Sequence, residues 1–587
     1  MNIKYKDLDP QETIEKAQAI LRKVGLNMHE TILHPTDNLY SLRLQDVATC
    51  WGVNGKGVTE EYCKASAYGE AMERLQNLHI PYFEYDDIDE FEGYKYYPDE
   101  EGVSISKSDI PHDVYADMQQ SYFDAEGLTP TDEQLFSIWR EWNGNRICKS
   151  LPFYSIRDKK VVKLPYEIIR RLCRSNGLAA GNTIEEAVCQ AIAEILERYS
   201  LEQILRCQLT PPIIPTEYIG KHYHEQYVII KQIESKGLSV HVFDGSLGKQ
   251  LPVICILVVD CENQSYRFKV GCHPVLGIAL ERCLTEFAQG NKLTSESREK
   301  NFIPWTKTSQ YQWDSFYNWS KNFRSNSGSV PNSIFQTESS WNFEDWNYAN
   351  NFNNKVGARF LIEKCAEISG NVYIRDNSYL GFPAVRVYVP KITVVYKFNP
   401  LAPSTIINNR TRQIIENFPY FSTRLNNTDK EKLIQIFSTD YHAIYEEHLG
   451  VSVQVLLGAL YFDLGLVNKA IEALHKNSPK NIYTKAAIRE LELLYDGVQQ
   501  QDRDRMLKMF FGNKVAAYIN TNWRGCDVTS GLFDPYRLNA LRGISNNNEN
   551  EAKHRWRDIV KRMKSIMSSK VINQENLSIL FDYENYN

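Results

Sequence analysis

The sequence predicts an α/β (α+β) fold in which glutamate-bearing helices pack on mixed sheets, followed by an all-helical C-terminal domain. Helical segments alternate with apolar strand segments such as LPVICILVVD as far as about residue 405, an alternation typical of α/β domains. After about residue 410 the strand signals stop and helical periodicity dominates. The 587 residues also exceed the roughly 100–200 residues of one domain. We therefore expect two domains, at 1–405 and 406–587.

The composition is that of a globular protein, with 43% hydrophobic and 24% charged residues. Lys and Arg total 67 against 73 Asp and Glu, so the net charge of −6 indicates no general attraction for nucleic acid or a membrane surface. The longest apolar run, 251–259, is too short to span a bilayer, and the polar N-terminal segment lacks a signal-peptide core. Twelve scattered cysteines without a C-x-x-C pair indicate neither a zinc site nor a disulfide framework. A reduced cytoplasm is the expected compartment.

Near the N-terminus the sequence predicts a helix over 11–25, because its apolar residues recur at helical spacing. Strands follow, and a glycine-rich turn at 54–57 leads into the first carboxylate-bearing helix. The acidic and aromatic segment 83–101 is expected to be a solvated loop or edge strand. In SNGLAAGNTIEE, Thr183 is the predicted N-cap of the second such helix, with Glu186 as its capping-box partner.

The middle of the chain alternates strands with helices and contains one irregular insertion. A helix (EQYVIIKQIESKG) and three strands (VHVFDGSLG, LPVICILVVD, YRFKVGCHP) lead to a third carboxylate-bearing helix near 277–290. The segment 295–350 is rich in Ser and Asn but holds five of the ten tryptophans. Because disordered segments are poor in aromatic residues, we expect an irregular but largely docked insertion there. A helix and two strands (KVGARFLIEKCAEI, NVYIRD, AVRVYVP) follow.

The C-terminal helices contain one segment with the spacing of a tetratricopeptide unit. In LGALYFDLGLVNKAIEAL, the residues Gly458, Tyr461, Gly465 and Ala470 match that spacing, and the small ones would let two helices pack closely. One repeat cannot bury its own face, so its neighbours are expected to be helical too. An ordinary helical hairpin with small residues at these positions is the alternative.

Three helices carry polar and acidic residues on one face, at steps of three and four residues. The stripes are Ser66, Glu70, Glu73 and Arg74; Glu186, Gln190, Glu194, Glu197 and Arg198; and Arg282, Glu286 and Gln289. With Glu194 laid over Glu70, the identities include Gly181 on Gly57, Thr183 on Thr59, Ala191 on Ala67 and Arg198 on Arg74. The register indicates one site built from a repeated element.

Each stripe alone would be compatible with ordinary surface ion pairs, since Glu and Arg at i, i+4 are common partners. The flanks are Ala, Met, Ile and Leu, however, and these faces carry almost no Lys. Partly buried carboxylates must be protonated, paired or bound to metal, and an oxygen-only ligand set suits Mg²⁺. Asn182, Gln190, Gln289 and Arg282 could bind a nucleotide, and backbone N–H groups at 54–57 and 175–177 could approach an anion. The sequence contains no P-loop motif.

These helices resemble the YcaO family. SNGLAAGNTIEEAVCQAIAEILERYS is similar to the hallmark motif of the family, and NGKGVTEEYCKASAYGEAMER and HPVLGIALERCLTEFAQGN are similar to its other two motifs. The resemblance implies ATP bound with Mg²⁺. It implies metal ligation by Glu70, Glu73, Glu194, Glu197 and Glu286. It implies nucleotide contacts from Lys6, Thr13, Ser66, Asn182, Glu186, Gln190, Arg198, Arg282 and Gln289.

The resemblance also implies an ATP-dependent activity, for which several alternatives stay open. Family members use ATP to activate a peptide backbone amide, giving azoline, amidine or thioamide. Azoline-forming members typically end in a proline-rich tail, whereas this chain ends FDYENYN. One kind of member that it resembles is an accessory factor for β-methylthiolation of a small-subunit ribosomal protein. Such a role implies a homodimer and a partner such as the radical methylthiotransferase or the ribosomal protein. The hypotheses are therefore an ATP-hydrolysing accessory factor, an amide-activating enzyme, and an adaptor switched by ATP.

Overall fold

The computed structural model describes residues 6–49, 51–81, 94–103, 110–126, 129–133, 135–136, 147–290, 292–308, 328–346, 352–394, 426–438, 452–476, 482–524, 528 and 546–581. The chain forms two compact units, one of Met1–Phe398 with Ala552–Asn587 and the other of Asn399–Glu551. The sequence assigned all of 406–587 to the helical domain, whereas the structure groups the last 36 of these residues, Ala552–Asn587, with the first unit. Within the described ranges, no helix has both the length and the apolar character needed to cross a membrane.

The described strands and helices follow the predicted alternation. The strands are β1 (Met28–Thr36), β2 (Leu39–Asp46), β3 (Gly52–Gly57), β4 (Glu101–Val103), β5 (Cys148–Ser155), β6 (Lys160–Pro165), β7 (Leu178–Ala180), β8 (Ser239–Asp244), β9 (Val253–Asp260), β10 (Ser265–Cys272), β11 (Ile303–Pro304), β12 (Tyr373–Asp376) and β13 (Ala384–Tyr388). The helices are α1 (Pro10–Val24), α2 (Glu60–Gln76), α3 (His112–Glu126), α4 (Tyr166–Cys173), α5 (Ile184–Arg206), α6 (Thr216–His222), α7 (His224–Glu234), α8 (Leu276–Ala288), α9 (Ser295–Asn301), α10 (Asn354–Ser369), α11 (Asn427–Phe437), α12 (Val453–Asp463), α13 (Val467–Lys476), α14 (Ile482–Tyr495), α15 (Gln500–Asn522), α16 (Asn546–Ser568) and α17 (Leu577–Phe581).

The strands of the first unit form three sheets. Their strand orders are β1-β2-β3, β11-β10-β9-β8 and β4-β5-β12-β13-β7, with β6 beside β5. Every described strand pairing is antiparallel. The prediction of mixed sheets is therefore wrong for these strands, because neighbours such as β9 and β10 pair as antiparallel hairpins and no described pair is parallel. The predicted turn at 54–57 is also wrong, since these residues lie in β3 and pair with β2.

The first two carboxylate-bearing helices begin in the same way. The hydroxyl of Thr59 accepts a hydrogen bond from the Tyr62 amide at the start of α2, and Thr183 does the same for Glu186 at the start of α5. Thr183 is thus the N-cap that the sequence predicted. The return half of the predicted capping box is absent, because the Glu186 carboxylate instead binds the Asp7 amide at 3.0 Å.

Two glycines bring a strand directly against each of these helices. A Cβ atom on Gly57 would lie 2.5 Å from the Cys63 amide nitrogen, and one on Gly181 would lie 2.6 Å from the Ala187 amide nitrogen. The two contacts are equivalent in the register deduced from the sequence. The repeat is therefore a structural one, in which a glycine at or just after the end of a strand is followed by a capped helix.

The core of the first unit surrounds α5. This helix packs on α10, on β10 of one sheet, and on β7 and β13 of another. Its buried residues occupy most of its circumference, and Val188, Ile192 and Leu196 are among those with no exposed surface. Although α5 is largely enclosed by two sheets and a helix, its acidic stripe borders an open cavity.

The C-terminal residues of the chain are part of the first unit. The Trp556 ring packs edge-on against Trp51, with ring centroids 5.6 Å apart. The buried Gln574 side chain accepts a hydrogen bond from the Asp376 amide at 2.8 Å and donates one to the Asp376 carbonyl at 2.9 Å. These contacts explain why a boundary drawn from local helix signals alone misassigned this segment.

The insertion predicted over 295–350 is docked where the structure describes it. Trp346 is buried against the α8 side of the core, and Trp341 donates its indole N–H to the buried Asp244 carboxylate at 2.9 Å. Trp305 is 59% exposed. The other two tryptophans of the insertion, Trp313 and Trp319, and most of the acidic segment 83–101 lie outside the described residues.

The described helices of the second unit pack in sequence order, α12 on α13, α13 on α14 and α14 on α15. A Cβ atom on Gly458 would lie 2.7 Å from the Leu474 side chain, so the small residue does permit the predicted close approach of α12 and α13. Gly465 has a φ of 76° in the turn between them. The assignment of this hairpin to the tetratricopeptide class stays a prediction.

The repeated glycine contact predicts a stability effect. Gly181→Ala should lower the free energy of unfolding by about 1–3 kcal/mol, because the added methyl group must displace the backbone of α5. Gly69→Ala is the matched control, since nothing lies within 4 Å of a Cβ at this helical position. Denaturant unfolding should find the control unchanged or stabilised by about 0.5–1 kcal/mol. Equal stability of Gly181→Ala and the wild type would contradict the contact.

Candidate functional site

The three carboxylate-bearing helices face one cavity of about 370 Å³. All fourteen site residues predicted from the sequence line it: Lys6, Thr13, Ser66, Glu70, Glu73, Asn182, Glu186, Gln190, Glu194, Glu197, Arg198, Arg282, Glu286 and Gln289. They come from the N-terminal segment, α1, α2, the β7–α5 loop, α5, α8 and the residue after α8. Local sequence patterns therefore identified residues that are more than 200 positions apart in the chain and share one cavity.

The α2 wall of the cavity carries two glutamates bound to one arginine. Arg74 lies 3.3 Å from the Glu70 carboxylate and 3.0 Å from the Glu73 carboxylate. The Glu73 side chain is 14% exposed. Burial raises its pKa to about 8, and the negative charges of Glu194 and Glu70 add to this effect while Arg74 opposes it. Despite the arginine, the wall holds more negative charge than its own cations offset.

The α5 wall repeats this arrangement. Arg198 pairs with Glu194 at 3.1 Å, the same i, i+4 pairing that Arg74 makes with Glu70. Burial raises the pKa of Glu197, and Glu194 acts in the same direction, whereas Arg282 and Lys56 oppose the shift. The ordinary ion pairs that the sequence allowed are thus present, but they stand inside the cavity beside further carboxylates.

The α8 wall carries Glu286 between two lysines that the sequence reasoning missed. The Lys56 ammonium contacts one carboxylate oxygen, and the Lys269 ammonium lies 3.9 Å from the other. Burial, together with the charges of Arg267 and Lys56, lowers the pKa of Lys269 to about 7. Lys56 lies within residues 54–57, for which the sequence predicted only backbone contacts with an anion. Lys269 could not be found, because nothing in YRFKVGC marks one strand residue as facing α8.

The N-terminal segment closes another side of the cavity. Lys6 lies 3.0 Å from the Glu186 carboxylate, which is only 4% exposed. Asn182 donates to the same carboxylate at 3.1 Å and accepts a hydrogen bond from the Thr13 hydroxyl at 2.8 Å. Four of the predicted nucleotide contacts therefore bind one another and hold the segment against α5. Their contacts with a nucleotide stay predictions.

The predicted anion-binding turn at 175–177 lies elsewhere. Gly177 has a φ of 83°, as a tight turn requires, but the buried Asn176 side chain donates to the Thr393 carbonyl at 3.0 Å. This turn joins two parts of the backbone and does not line the cavity. Its glycine is explained by the close approach of the Val387 carbonyl, 2.2 Å from where a Cβ would stand.

The donor set of the cavity suits a magnesium ion. Five glutamates offer carboxylate oxygens, and burial, with a smaller contribution from neighbouring carboxylates, raises the pKa values of Glu73 and Glu197. Among the residues that the structure describes, no three Asp, Glu, His or Cys side chains already converge as metal ligands. Glu70, Glu73, Glu194 and Glu286 instead pair with Arg74, Arg198 or Lys56. A metal ion would compete with these cations for the carboxylate oxygens.

Comparison with known proteins identifies the chain. The family model described as YcaO cyclodehydratase, ATP- and Mg²⁺-binding, matches residues 54–393. The chain belongs to the YcaO family. The match covers the three carboxylate-bearing helices, so the predicted cofactors, ATP and Mg²⁺, are confirmed for the domain that contains the cavity.

Relatives of the YcaO chain include characterised and uncharacterised proteins. It is 30% identical over 396 residues to the ribosomal protein S12 methylthiotransferase accessory factor YcaO of Escherichia coli, spanning 67% of this chain and 66% of that protein. It is 29% identical to an uncharacterized protein of Haemophilus influenzae, spanning 68% of this chain and 67% of that one. A structure of YcaO from Methanopyrus kandleri bound with AMPPCP and Mg²⁺ has a TM-score of 0.43 and 18% identity, over 66% of this chain and 93% of that one.

The ion pairing of Glu186 predicts a role in holding the N-terminal segment. Glu186→Gln should weaken the bonds to Lys6 and Asp7 and so lower the free energy of unfolding by roughly 1–3 kcal/mol. The loss should lie toward the lower end of this range, because Lys6 is partly exposed. Hydrogen exchange of the Asp7 amide should accelerate. Glu185→Gln, at the neighbouring position, is the control and should leave exchange unchanged. Unaltered Asp7 exchange in Glu186→Gln would refute the holding role.

Proposed function

We propose that this YcaO protein binds Mg–ATP in the described cavity and hydrolyses it as an accessory factor for β-methylthiolation of a small-subunit ribosomal protein. The observation that carries the proposal is the 30% identity to the E. coli accessory factor, combined with one cavity that is lined by all fourteen predicted residues. The cytoplasm is the compartment in which such a substrate would be met. A homodimer and a protein partner, the radical methylthiotransferase or the ribosomal protein, belong to the same proposal.

The residues on each wall of the cavity would have a different role in binding Mg–ATP. The glutamates of α2, α5 and α8 would hold Mg²⁺, which supplies charge neutralisation at phosphate oxygens. Arg282 would face the oxygens on which negative charge accumulates as the phosphoryl group is transferred. Ser66, Gln190 and Gln289 would give neutral hydrogen bonds to the nucleotide. Lys6, Thr13, Asn182 and Glu186 would position the N-terminal segment over it.

A second candidate is ATP-dependent activation of a peptide backbone amide. The family model's description as a cyclodehydratase favours it. An amide oxygen is a poor leaving group, whereas a phosphorylated oxygen is a good leaving group. A nucleophile would first add to the carbonyl carbon, and the oxygen of the adduct would then take up phosphate from ATP. Loss of phosphate would leave a thioamide or an amidine. A short precursor-peptide gene beside this one would favour this candidate over the accessory role. A third candidate is an adaptor protein that is switched by ATP binding and does not hydrolyse ATP.

Substitution of one carboxylate tests the metal and nucleotide assignment. Glu194→Gln keeps the size of the side chain but removes a charged ligand, so Mg²⁺-dependent affinity for AMPPCP should fall by about 10–100-fold. Glu185→Gln, which lies on the same helix outside the lining of the cavity, should bind as the wild type does. Titration calorimetry measures both, and an unchanged affinity of Glu194→Gln would contradict the assignment.

Turnover and target modification then separate the functional readings. ATP hydrolysis by the wild type, lost in Glu194→Gln, is expected for both enzymatic readings, and binding without turnover supports the adaptor. In a strain lacking the gene, mass spectrometry of the small-subunit ribosomal protein should find the methylthio group reduced, with recovery by the wild type and not by Glu194→Gln. Full methylthiolation without the gene would exclude the accessory role.

A further inference from the structure

The Lys56 ammonium occupies the position at which the three carboxylate-bearing helices meet. It contacts Glu286 of α8 directly. Glu197 and Glu194 of α5 and Glu70 of α2 attract it electrostatically, whereas the Arg282 guanidinium of α8 repels it. A single amine thus interacts with acidic groups from all three walls. This is the environment that the proposed function assigns to a divalent cation.

The strand β3 fixes this position. Gly55 and Gly57 face α2, and a Cβ on Gly55 would lie 2.3 Å from the Cys63 carbonyl oxygen. Because side chains alternate along a strand, Lys56 projects from the opposite side, toward α8. The glycines hold the strand tightly against α2, so the Lys56 backbone has little freedom to withdraw. Only its side chain, which is 34% exposed, can move.

Glu286 is held from its other side by Lys269. This side chain is 4% exposed, lies on β10, and faces the second carboxylate oxygen. Removal of Lys56 from Glu286 would therefore leave the carboxylate with Lys269 nearby and with one oxygen open to the cavity. The two lysines differ in this respect, because Lys269 is enclosed by the fold and Lys56 borders the open space.

We propose that the Lys56 ammonium is a counter-ion that neutralises the glutamates in the nucleotide-free protein, and that its ion pair with Glu286 breaks when Mg²⁺ binds. The inference rests on the proposed Mg–ATP site. Without a cation the glutamates would repel one another, so Lys56 stabilises the empty site and competes with metal for it. The phosphates of a bound nucleotide offer the displaced ammonium a new anionic partner. Mg²⁺ and nucleotide should therefore bind cooperatively, and Lys56 supplies part of the coupling.

Metal titration of the full-length protein tests the competition. Lys56→Met should bind Mg²⁺ in the absence of nucleotide about tenfold more tightly than the wild type, since one charge-assisted hydrogen bond no longer has to be broken. Lys56→Gln should change in the same direction, and Lys56→Arg should stay close to the wild type. Lys64→Met is the matched control, because Lys64 pairs with Glu30 and Glu60 and does not line the cavity.

Thermal unfolding gives an independent readout. In EDTA, Lys56→Met should melt below the wild type, and Mg²⁺ with AMPPCP should stabilise it by more than it stabilises the wild type. Metal affinity that is unchanged or weaker in both Lys56→Met and Lys56→Gln overturns the inference while leaving the proposed function intact. Absence of Mg²⁺ binding by the wild type and by Lys64→Met, even with AMPPCP, overturns the proposed function and the inference with it.

Discussion

The mutual repulsion of glutamates gathered from three helices is the constraint on which this structure depends. Glu70, Glu73, Glu194, Glu197 and Glu286 share a cavity of about 370 Å³. Arginines on the same helices and Lys56 from β3 offset part of this charge, yet Glu73 and Glu197 still have raised pKa values. Buried carboxylates of this kind are stabilised by protonation, by ion pairs or by a bound cation. Mg²⁺, a ligand of the family domain, is such a cation.

The architecture brings these charges together by repetition. In two copies a glycine at or just after the end of a strand packs on a helix capped by threonine, and the acidic stripe follows at the same distance from the cap. The helix α5 packs between two sheets, and its acidic stripe lines the cavity. The third helix, α8, has Val275 at its N-cap without a side-chain bond, and the residues Arg282 and Gln289 give its wall a different character. The site is thus asymmetric, with acidic walls on α2 and α5 and a mixed wall on α8.

The sequence predicted which residues line the cavity better than how the strands pair. Helical spacing fixes which side chains share a face, so the three stripes and the threonine caps were predictable from local patterns. Strand pairing depends on distant segments, which is why antiparallel sheets were missed and β3 was taken for a turn. Lys269 faces α8 only because of that pairing, and the return of residues 552–587 to the first unit rests on contacts such as Trp556 with Trp51. Such long-range contacts leave no periodic signal in the chain.

The most direct measurement is a crystal structure of the full chain with AMPPCP and Mn²⁺ in place of Mg²⁺, with the metal located by its anomalous scattering. We expect manganese to be bound by glutamates from α2, α5 and α8, the triphosphate to lie beside Arg282, and the Lys56 ammonium to move from Glu286 to a phosphate oxygen. Manganese or nucleotide bound outside this cavity, or in it without glutamate ligands, would contradict the central claim that the repeated carboxylate helices form a metal–nucleotide site.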